Sequence, residues 1–169
     1  TTPAMISPAQ LAQVGGGGWE YSPVVATTSG TAFDFTGIPE GVTEIEAIYR
    51  DIRFTATDHA LIQLGTNAGF QTTGYDSASG TGVRTFIKRT TGFALVVDGS
   101  TNRAYGKMTI LNSGSGDWDE THNGSEMREG LGINGAGHVN ITGAVDRLRL
   151  TRSGTATFNS GSFYIRWRK

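Results

Sequence analysis

Residues 29–39 read SGTAFDFTGIP, and this stretch shows the pattern that decides the fold. Phe33 and Phe35 lie on one side of a two-residue period, Asp34 lies on the other, and turn residues close both ends. The pattern is typical of a short, half-buried β-strand that leads into a Gly-Ile-Pro turn. Because about eight further stretches repeat it, the sequence predicts an all-β protein.

Composition and length agree with that prediction. The chain has 169 residues, of which 25 are glycine, roughly twice the usual share. So many glycines, with few long runs of helix-forming residues, indicate short strands joined by tight turns. About ten antiparallel strands in one domain must close as a barrel or stack as two sheets. The length favours an antiparallel two-sheet β-sandwich, jelly-roll-like in form.

Charge and cysteine content exclude several classes of protein. The chain has 14 Lys and Arg residues against 15 Asp and Glu residues, so no overall positive field would attract nucleic acid or an anionic membrane. The absence of cysteine excludes disulfides and thiolate metal sites. No stretch approaches the ~20 apolar residues of a membrane helix, and the first residues do not resemble a signal peptide. We therefore expect no nucleic-acid partner and no membrane insertion.

The first residues predict an arm attached to the body. The Ser-Pro pair that opens residues 7–14 fits a helix N-cap followed by proline at the first helical position, with about two turns of helix after it. Four consecutive glycines at 15–18 then end the helix and form a hinge. Residues 1–18 are assigned to this arm and residues 19–169 to the β-sandwich domain. A frayed terminus is the alternative reading of the arm.

Two hairpins are predicted from turn residues between apolar runs. Residues 24–27 are expected to pair with the Phe33/Phe35 strand across a Ser-Gly turn. Residues 84–89 are expected to pair with residues 93–97 across a Thr-Thr-Gly turn. Residues 93–97 are apolar without alternation, which is typical of a central strand.

Residues 42–54 predict the longest strand, and its apolar set changes phase partway along. The inward residues are predicted to be Ile45, Ala47 and Tyr49 at first, and then Ile48, Ile52 and Phe54. The change indicates either a β-bulge near residues 47–49 or burial on both faces.

In contrast, residues 75–82 are rich in Ser, Gly and Thr and predict an exposed, mobile loop.

The longest polar stretch, residues 113–130, predicts either a decorated loop or a pair of solvent-facing strands. A tryptophan beside several carboxylates is the kind of platform that stacks on a sugar ring, and the carboxylate oxygens could hold Ca²⁺, although the EF-hand spacing is absent. Trp118 is predicted to be the stacking surface; the alternatives are an ordinary solvated loop and a Trp118 that folds back onto the sandwich as a lid. The predicted ligand-binding residues are Asp117, Trp118, Asp119, Glu120 and His122.

No catalytic residue, metal site or cofactor is predicted. The three histidines lie far apart in sequence, with no HExxH motif to support a zinc site. A Ser-His-Asp triad gains no weight from the sequence, because serine and aspartate are abundant and no GxSxG elbow is present. Glycosidase chemistry needs one carboxyl group in an apolar setting, of which the sequence gives no sign.

Four arginines on the last two predicted strands lie opposite the apolar set. If these strands are neighbours, Arg147, Arg149, Arg166 and Arg168 form one basic face that could bind phosphate, an anionic polysaccharide or an acidic protein surface. The alternative is a solvated face whose charges prevent edge-to-edge aggregation.

Three segments carry a resemblance to a known group of proteins. They are SGTAFDFTGIPEGVTEIEAIYRDI at residues 29–52, LIQLGTNAGFQTTGY at 61–75 and VDRLRLTRSGTATFNSGSFYIRW at 145–167. In these segments the chain resembles phage-encoded structural proteins of the tail-fibre or virion-associated type. The resemblance implies a β-sandwich located in the virion and assembled as a homotrimer, which residues 1–18 join to other virion proteins. It brings no catalytic motif.

Two functions from different classes follow. The first is a virion adhesin that binds a host surface polysaccharide through residues 75–82 and 117–126. The second is a capsid decoration or adaptor domain whose partners are all virion proteins. A third reading, an enzyme that degrades surface polysaccharide, has less support in the sequence.

Overall fold

The computed structural model describes residues 18–82, 86–97 and 100–169, and every regular element in these ranges is a β-strand. The all-β prediction is therefore confirmed there, whereas the helix predicted at residues 7–14 lies outside the described residues. The described ranges contain no helix that could cross a membrane. The strands are β1 (Glu20–Tyr21), β2 (Val25–Ala26), β3 (Phe33–Thr36), β4 (Glu44–Phe54), β5 (Ala60–Thr66), β6 (Gly69–Phe70), β7 (Asp76–Thr81), β8 (Phe86–Arg89), β9 (Phe93–Leu95), β10 (Ala104–Gly114), β11 (Asp117–Glu126), β12 (Leu131–Asn140), β13 (Arg147–Arg152) and β14 (Phe158–Arg168).

These strands form two antiparallel sheets that share one apolar core, as in a β-sandwich. Sheet A has the order β1-β14-β4-β10-β11-β12-β7-β8, with β2 also beside β14. Sheet B has the order β3-β13-β5-β6, with β9 also beside β5. The two phenylalanines of β3 link the sheets, since the Phe35 ring lies 5.4 Å from that of Phe163 and the Phe33 ring 5.3 Å from that of Phe158. Aromatic pairs at such distances add to the stability that burial provides.

Both predicted hairpins are wrong, because the chain changes sheet at each turn. β2 pairs with β14 in sheet A, while β3 pairs with β13 in sheet B. Similarly, β8 pairs with β7 in sheet A, and β9 pairs with β5 in sheet B. The connection between β2 and β3 is hydrogen-bonded to β14 and not closed as a hairpin turn. Thr27 N–H donates to the Gly161 carbonyl, and Phe158 N–H donates to the Gly30 carbonyl. Turn residues mark where the chain reverses, but they do not specify which sheet receives the next strand.

The phase change predicted for the longest strand is present, but it lies slightly later than residues 47–49. Tyr49 and Ile52 both point into the core, and Asp51 between them has a left-handed backbone with φ of 57°. The pairing of β4 with β10 shifts at the same place. The prediction that Ile48 belongs to the inward set is wrong, since its side chain is half-buried while Tyr49 beside it is fully buried.

Residues 75–82, predicted as an exposed loop, instead contain β7, which pairs with β12 on one side and β8 on the other. Ser77 and Ser79 point inward and are buried. Their hydroxyl oxygens accept the N–H groups of Ala94 in β9 (2.9 Å) and of Val96 just after β9 (3.0 Å). Because a buried hydroxyl is tolerated when it is hydrogen-bonded, a polar sequence can occupy the core here.

A buried carboxylate holds the turn before β14. Asp58 is 4% exposed and accepts hydrogen bonds from the backbone N–H groups of His59 (2.8 Å), Gly154 (2.7 Å) and Ala156 (3.0 Å). The Ser153 hydroxyl donates a further bond to it at 3.0 Å. Asp58 thus joins the β4–β5 connection to the β13–β14 connection.

We predict that Asp58→Ala lowers the free energy of unfolding by about 2–4 kcal/mol, because buried N–H groups lose a charged acceptor. Chemical denaturation measures the change. Asp76→Ala is the matched control, since Asp76 is exposed and accepts no side-chain hydrogen bond from a described residue; it should change stability by less than about 0.5 kcal/mol. Equal effects of the two variants would contradict the role given to Asp58.

Candidate functional site

The pleat of β11 divides the five predicted ligand-binding residues into two groups. Asp117 and Asp119 point outward on sheet A, whereas Trp118, Glu120 and His122 are buried, with exposures of 3%, 1% and 2%. The prediction that Trp118 is an exposed stacking surface is therefore wrong. Successive side chains of a strand point to opposite faces, and this alternation places the ring in the core, as the lid alternative required.

The outward group forms a small hydrogen-bonded cluster with β10 and β12. Asp119 accepts a bond from the Ser113 hydroxyl at 2.6 Å and contacts His138 Nδ1 at 2.9 Å. The Ser113 hydroxyl and, to a smaller extent, His138 lower the pKa of Asp119. Asp117 accepts a bond from the Asn140 amide at 2.7 Å and lies 3.6 Å from His138 Nε2. Both carboxylates are thereby held in fixed orientations on an exposed surface.

Beside this cluster lies a shallow groove of about 470 Å³ on the outer face of sheet A. Cross-strand register places Arg168, Glu44, Leu111 and Asp119 in one row across β14, β4, β10 and β11. Leu111 is 47% exposed, so an apolar side chain lies among charged and polar ones. The remaining residues around the groove are Thr43, Asn112, Ser113 and Lys169.

An aromatic residue that the sequence reading did not select lies at the β14 end of this row. The Trp19 ring packs against two guanidinium groups, 4.2 Å from that of Arg166 and 4.8 Å from that of Arg168. Arg168 in turn donates to Glu44 at 2.5 Å. Nothing local in the sequence indicates this site, because it depends on the pairing of β1 with β14.

The four arginines predicted to form one basic face lie in different sheets, so that prediction is wrong. β13 belongs to sheet B and β14 to sheet A. Each arginine also has an acidic partner within 2.6 Å: the pairs are Arg147–Asp146, Arg149–Asp34, Arg166–Glu46 and Arg168–Glu44. The Arg149 hydrogen bond holds the pKa of Asp34 below its usual value. These positive charges are largely neutralised on two separate faces.

The inward group of β11 belongs to a buried hydrogen-bonded chain. Ser79 Oγ lies 2.8 Å from His122 Nε2, and His122 Nδ1 lies 2.5 Å from Glu120 Oε1. The Ser79 hydroxyl oxygen already accepts the Val96 N–H. Among the described residues, His122 Nε2 is the one acceptor to which the Ser79 hydroxyl can donate its proton. The imidazole therefore accepts at Nε2 and donates from Nδ1 to the carboxylate.

A glycine in the intervening strand makes this chain possible. In the register of sheet A, Gly135 of β12 lies between His122 and Ser79. A Cβ atom at Gly135 would overlap the His122 ring and the Ala78 carbonyl oxygen. The imidazole of one strand can thus reach the serine two strands away, which no sequence spacing reveals.

The order of groups is that of a hydrolase triad, but the setting differs. Ser79 is 0% exposed, and its hydroxyl is engaged on both sides. A triad nucleophile must reach a substrate carbonyl beside an oxyanion hole. The geometry instead lets this hydrogen-bonded chain of side chains connect sheet A to the edge of sheet B. Across the described residues, no group of three or more metal-ligating side chains that could hold an ion is present.

Comparisons with protein-family models, with curated proteins and with solved structures each give no match for this chain.

The buried carboxyl of Glu120 makes the stability of the fold depend on pH. Burial raises the pKa of Glu120, and the hydrogen bond from His122 offsets only part of this increase. Its second oxygen, Oε2, has no hydrogen-bond partner among the described residues. Because its pKa is raised in the folded state, Glu120 binds its proton more tightly in the folded protein than in the unfolded one. Protonated Glu120 therefore contributes stability at pH values below the unfolded pKa of about 4.3, and this contribution is lost as pH rises through the folded pKa.

We predict that Glu120→Gln, which cannot ionise, becomes more stable relative to the parent protein as pH rises above about 4.3. Urea denaturation over a series of pH values measures the difference in unfolding free energy. Glu40→Gln, at an exposed position, is the control for the chemical change alone. A difference between Glu120→Gln and the parent that stays constant with pH would contradict the prediction.

Proposed function

We propose that this chain is a structural domain of a phage virion that binds a host surface glycan on the outer face of sheet A. The resemblance of residues 29–52, 61–75 and 145–167 to virion-associated proteins supports the virion location. The groove between Arg168 and Asp119 is the observation that carries the binding proposal. A jelly-roll-like sandwich that presents this groove on the outer face of sheet A suits this role.

The chemistry of the groove fits a hydroxyl-rich ligand. Asp119 and Glu44 supply fixed acceptors, Arg168 supplies donors, and Leu111 offers an apolar surface between them. Sugar-binding sites combine an apolar surface with a few oriented polar groups. The sequence predicted Trp118 as the aromatic residue of the binding site. We propose Trp19, which packs beside Arg168, in that role instead.

Assembly follows from the same resemblance. We propose a homotrimer in the virion, with residues 1–18 joining other virion proteins. No cofactor, nucleic-acid partner or membrane insertion is part of this proposal.

A non-binding decoration or adaptor domain is the second candidate, and one observation favours it. Tyr21 and Val24 are 57% and 64% exposed beside an apolar slot of about 310 Å³, which Tyr21, Phe35 and Trp167 help to line. Exposed apolar surface of this kind is typical of a protein contact. We propose no enzymatic activity, because the Ser79–His122 pair is closed to solvent.

We predict that the parent protein binds members of a glycan array and that Asp119→Asn weakens this binding about fivefold or more, because a charged acceptor is lost. Asp76→Asn is the matched control: Asp76 is also an exposed aspartate of sheet A, but it does not line the groove. Thermal denaturation should show both variants folded. An array on which the parent binds nothing would favour the adaptor function instead.

A further inference from the structure

A second depression lies at the end of the sandwich where β12 leaves sheet A. It has a volume of about 270 Å³ and is bounded by the β5–β6 hairpin on one side and by residues 140–142 on the other. None of the described residues that line it has a charged side chain. The polar side chains that line it are amides and hydroxyls: Thr66, Gln71, Asn140 and Thr142.

The two amides present fixed and unused acceptors. The Asn140 NH₂ group donates to Asp117 Oδ1 at 2.7 Å and to the Ser115 carbonyl at 3.3 Å, which fixes the orientation of the amide. The Gln71 NH₂ group donates to the Thr73 carbonyl at 2.8 Å. Among the described residues, no donor reaches the carbonyl oxygen of either amide, and the Thr142 hydroxyl is unpaired. A ligand that brings O–H donors would satisfy these groups.

One wall of this depression is a braced aromatic ring. Phe70 lines it, and the guanidinium of Arg149 lies over the ring at 4.1 Å from its centroid. Arg149 is itself fixed by two hydrogen bonds to Asp34, at 2.6 and 2.8 Å. This cation–π contact covers one face of the ring, and Phe70 contributes an apolar group to the lining beside the amide acceptors.

We infer that this depression, the amide crevice, is a subsite for an uncharged sugar residue of the glycan. This inference rests on the proposed function and names its ligand class. The amide oxygens accept and the Thr142 hydroxyl can both donate and accept, which suits the hydroxyl groups of a sugar. The two arginines over the Phe70 ring, Arg147 and Arg149, are already paired with Asp146 and Asp34, so they are not free to pair with a carboxylate or sulfate. A flat wall beside oriented polar groups is the arrangement that a pyranose ring requires.

Asn140 connects the amide crevice to the groove, so one saccharide chain can contact both. Asn140 bonds to Asp117, and His138, two residues before Asn140, contacts Asp119 of the groove. β11 and β12 are adjacent strands, which are about 4.8 Å apart. A saccharide chain that binds in both the groove and the amide crevice would therefore pass Asn140.

The test uses the full chain, labelled with ¹⁵N, and a panel of neutral oligosaccharides that contain glucose, galactose, mannose or N-acetylglucosamine. Matched uronate-containing and sialylated oligosaccharides form the acidic half of the panel. NMR titration follows the side-chain amide signals of Gln71 and Asn140 together with the backbone signals of Leu111 and Ser113. We expect a neutral member to shift both sets and to bind more tightly than its acidic counterpart.

Two variants remove groups that the inference requires without touching buried residues. Gln71→Ala and Thr142→Val should each raise the Kd for the bound oligosaccharide about three- to tenfold, because each loses a hydrogen bond to the ligand. Thr121→Val is the control, since Thr121 is exposed on the outer face of sheet A away from the amide crevice and makes no side-chain bond to a described residue. Its Kd should equal that of the parent.

The outcomes separate this inference from the proposed function. If Asp119→Asn weakens binding while Gln71→Ala and Thr142→Val bind like the parent, the amide crevice is not a subsite and the glycan-binding function stands. Tighter binding of acidic than of neutral members would likewise overturn the inference alone. If no member of the panel binds the parent protein, both proposals fail.

Discussion

The joint between β7 and β9 is the interaction on which the rest of the structure depends. β9 pairs with β5 along one edge. On its other side, the N–H groups of Ala94 and of Val96, just after β9, would lie buried and unpaired without Ser77 and Ser79. An unpaired buried N–H group costs about 1–3 kcal/mol. The Ser79 hydroxyl is also hydrogen-bonded to His122 of β11, which is hydrogen-bonded in turn to Glu120 of the same strand. Sheet B is thereby hydrogen-bonded to β7 of sheet A, and through Ser79 to β11, as well as packed on sheet A.

This inner chain and the outer candidate site are two faces of the same strand. Glu120 and His122 point inward because Asp119 and Thr121 point outward, and the inner hydrogen bonds fix the backbone that presents the outer groups. A rigid scaffold beneath a binding surface reduces the conformational entropy lost when a ligand binds. The sandwich can therefore hold Asp119, Ser113 and His138 in place without ordering a loop.

Sequence reasoning succeeded where the physics is local and failed where it depends on register. The two-residue period of Phe33 and Phe35 predicts a half-buried strand, and the glycine content predicts tight turns; both inferences lead to the all-β fold. The same period applied to residues 117–126 would have placed Trp118 inside with Glu120 and His122, but the polarity of this stretch left open whether it forms a loop or solvent-facing strands. Groups brought together by pairing, such as Ser79 with His122 across Gly135, or Trp19 with Arg168, leave no trace in sequence spacing.

The protonation of His122 tests the buried chain most directly. A long-range ¹H–¹⁵N NMR spectrum at mildly alkaline pH distinguishes the two imidazole tautomers, and His59 and His138 variants assign the His122 signals among the three histidines. The structure requires a single tautomer with the proton on Nδ1, donated to Glu120, and an unprotonated Nε2 that accepts from Ser79. A His122 that is protonated on Nε2, or that shows the averaged shifts of a solvent-exposed imidazole, would contradict this account.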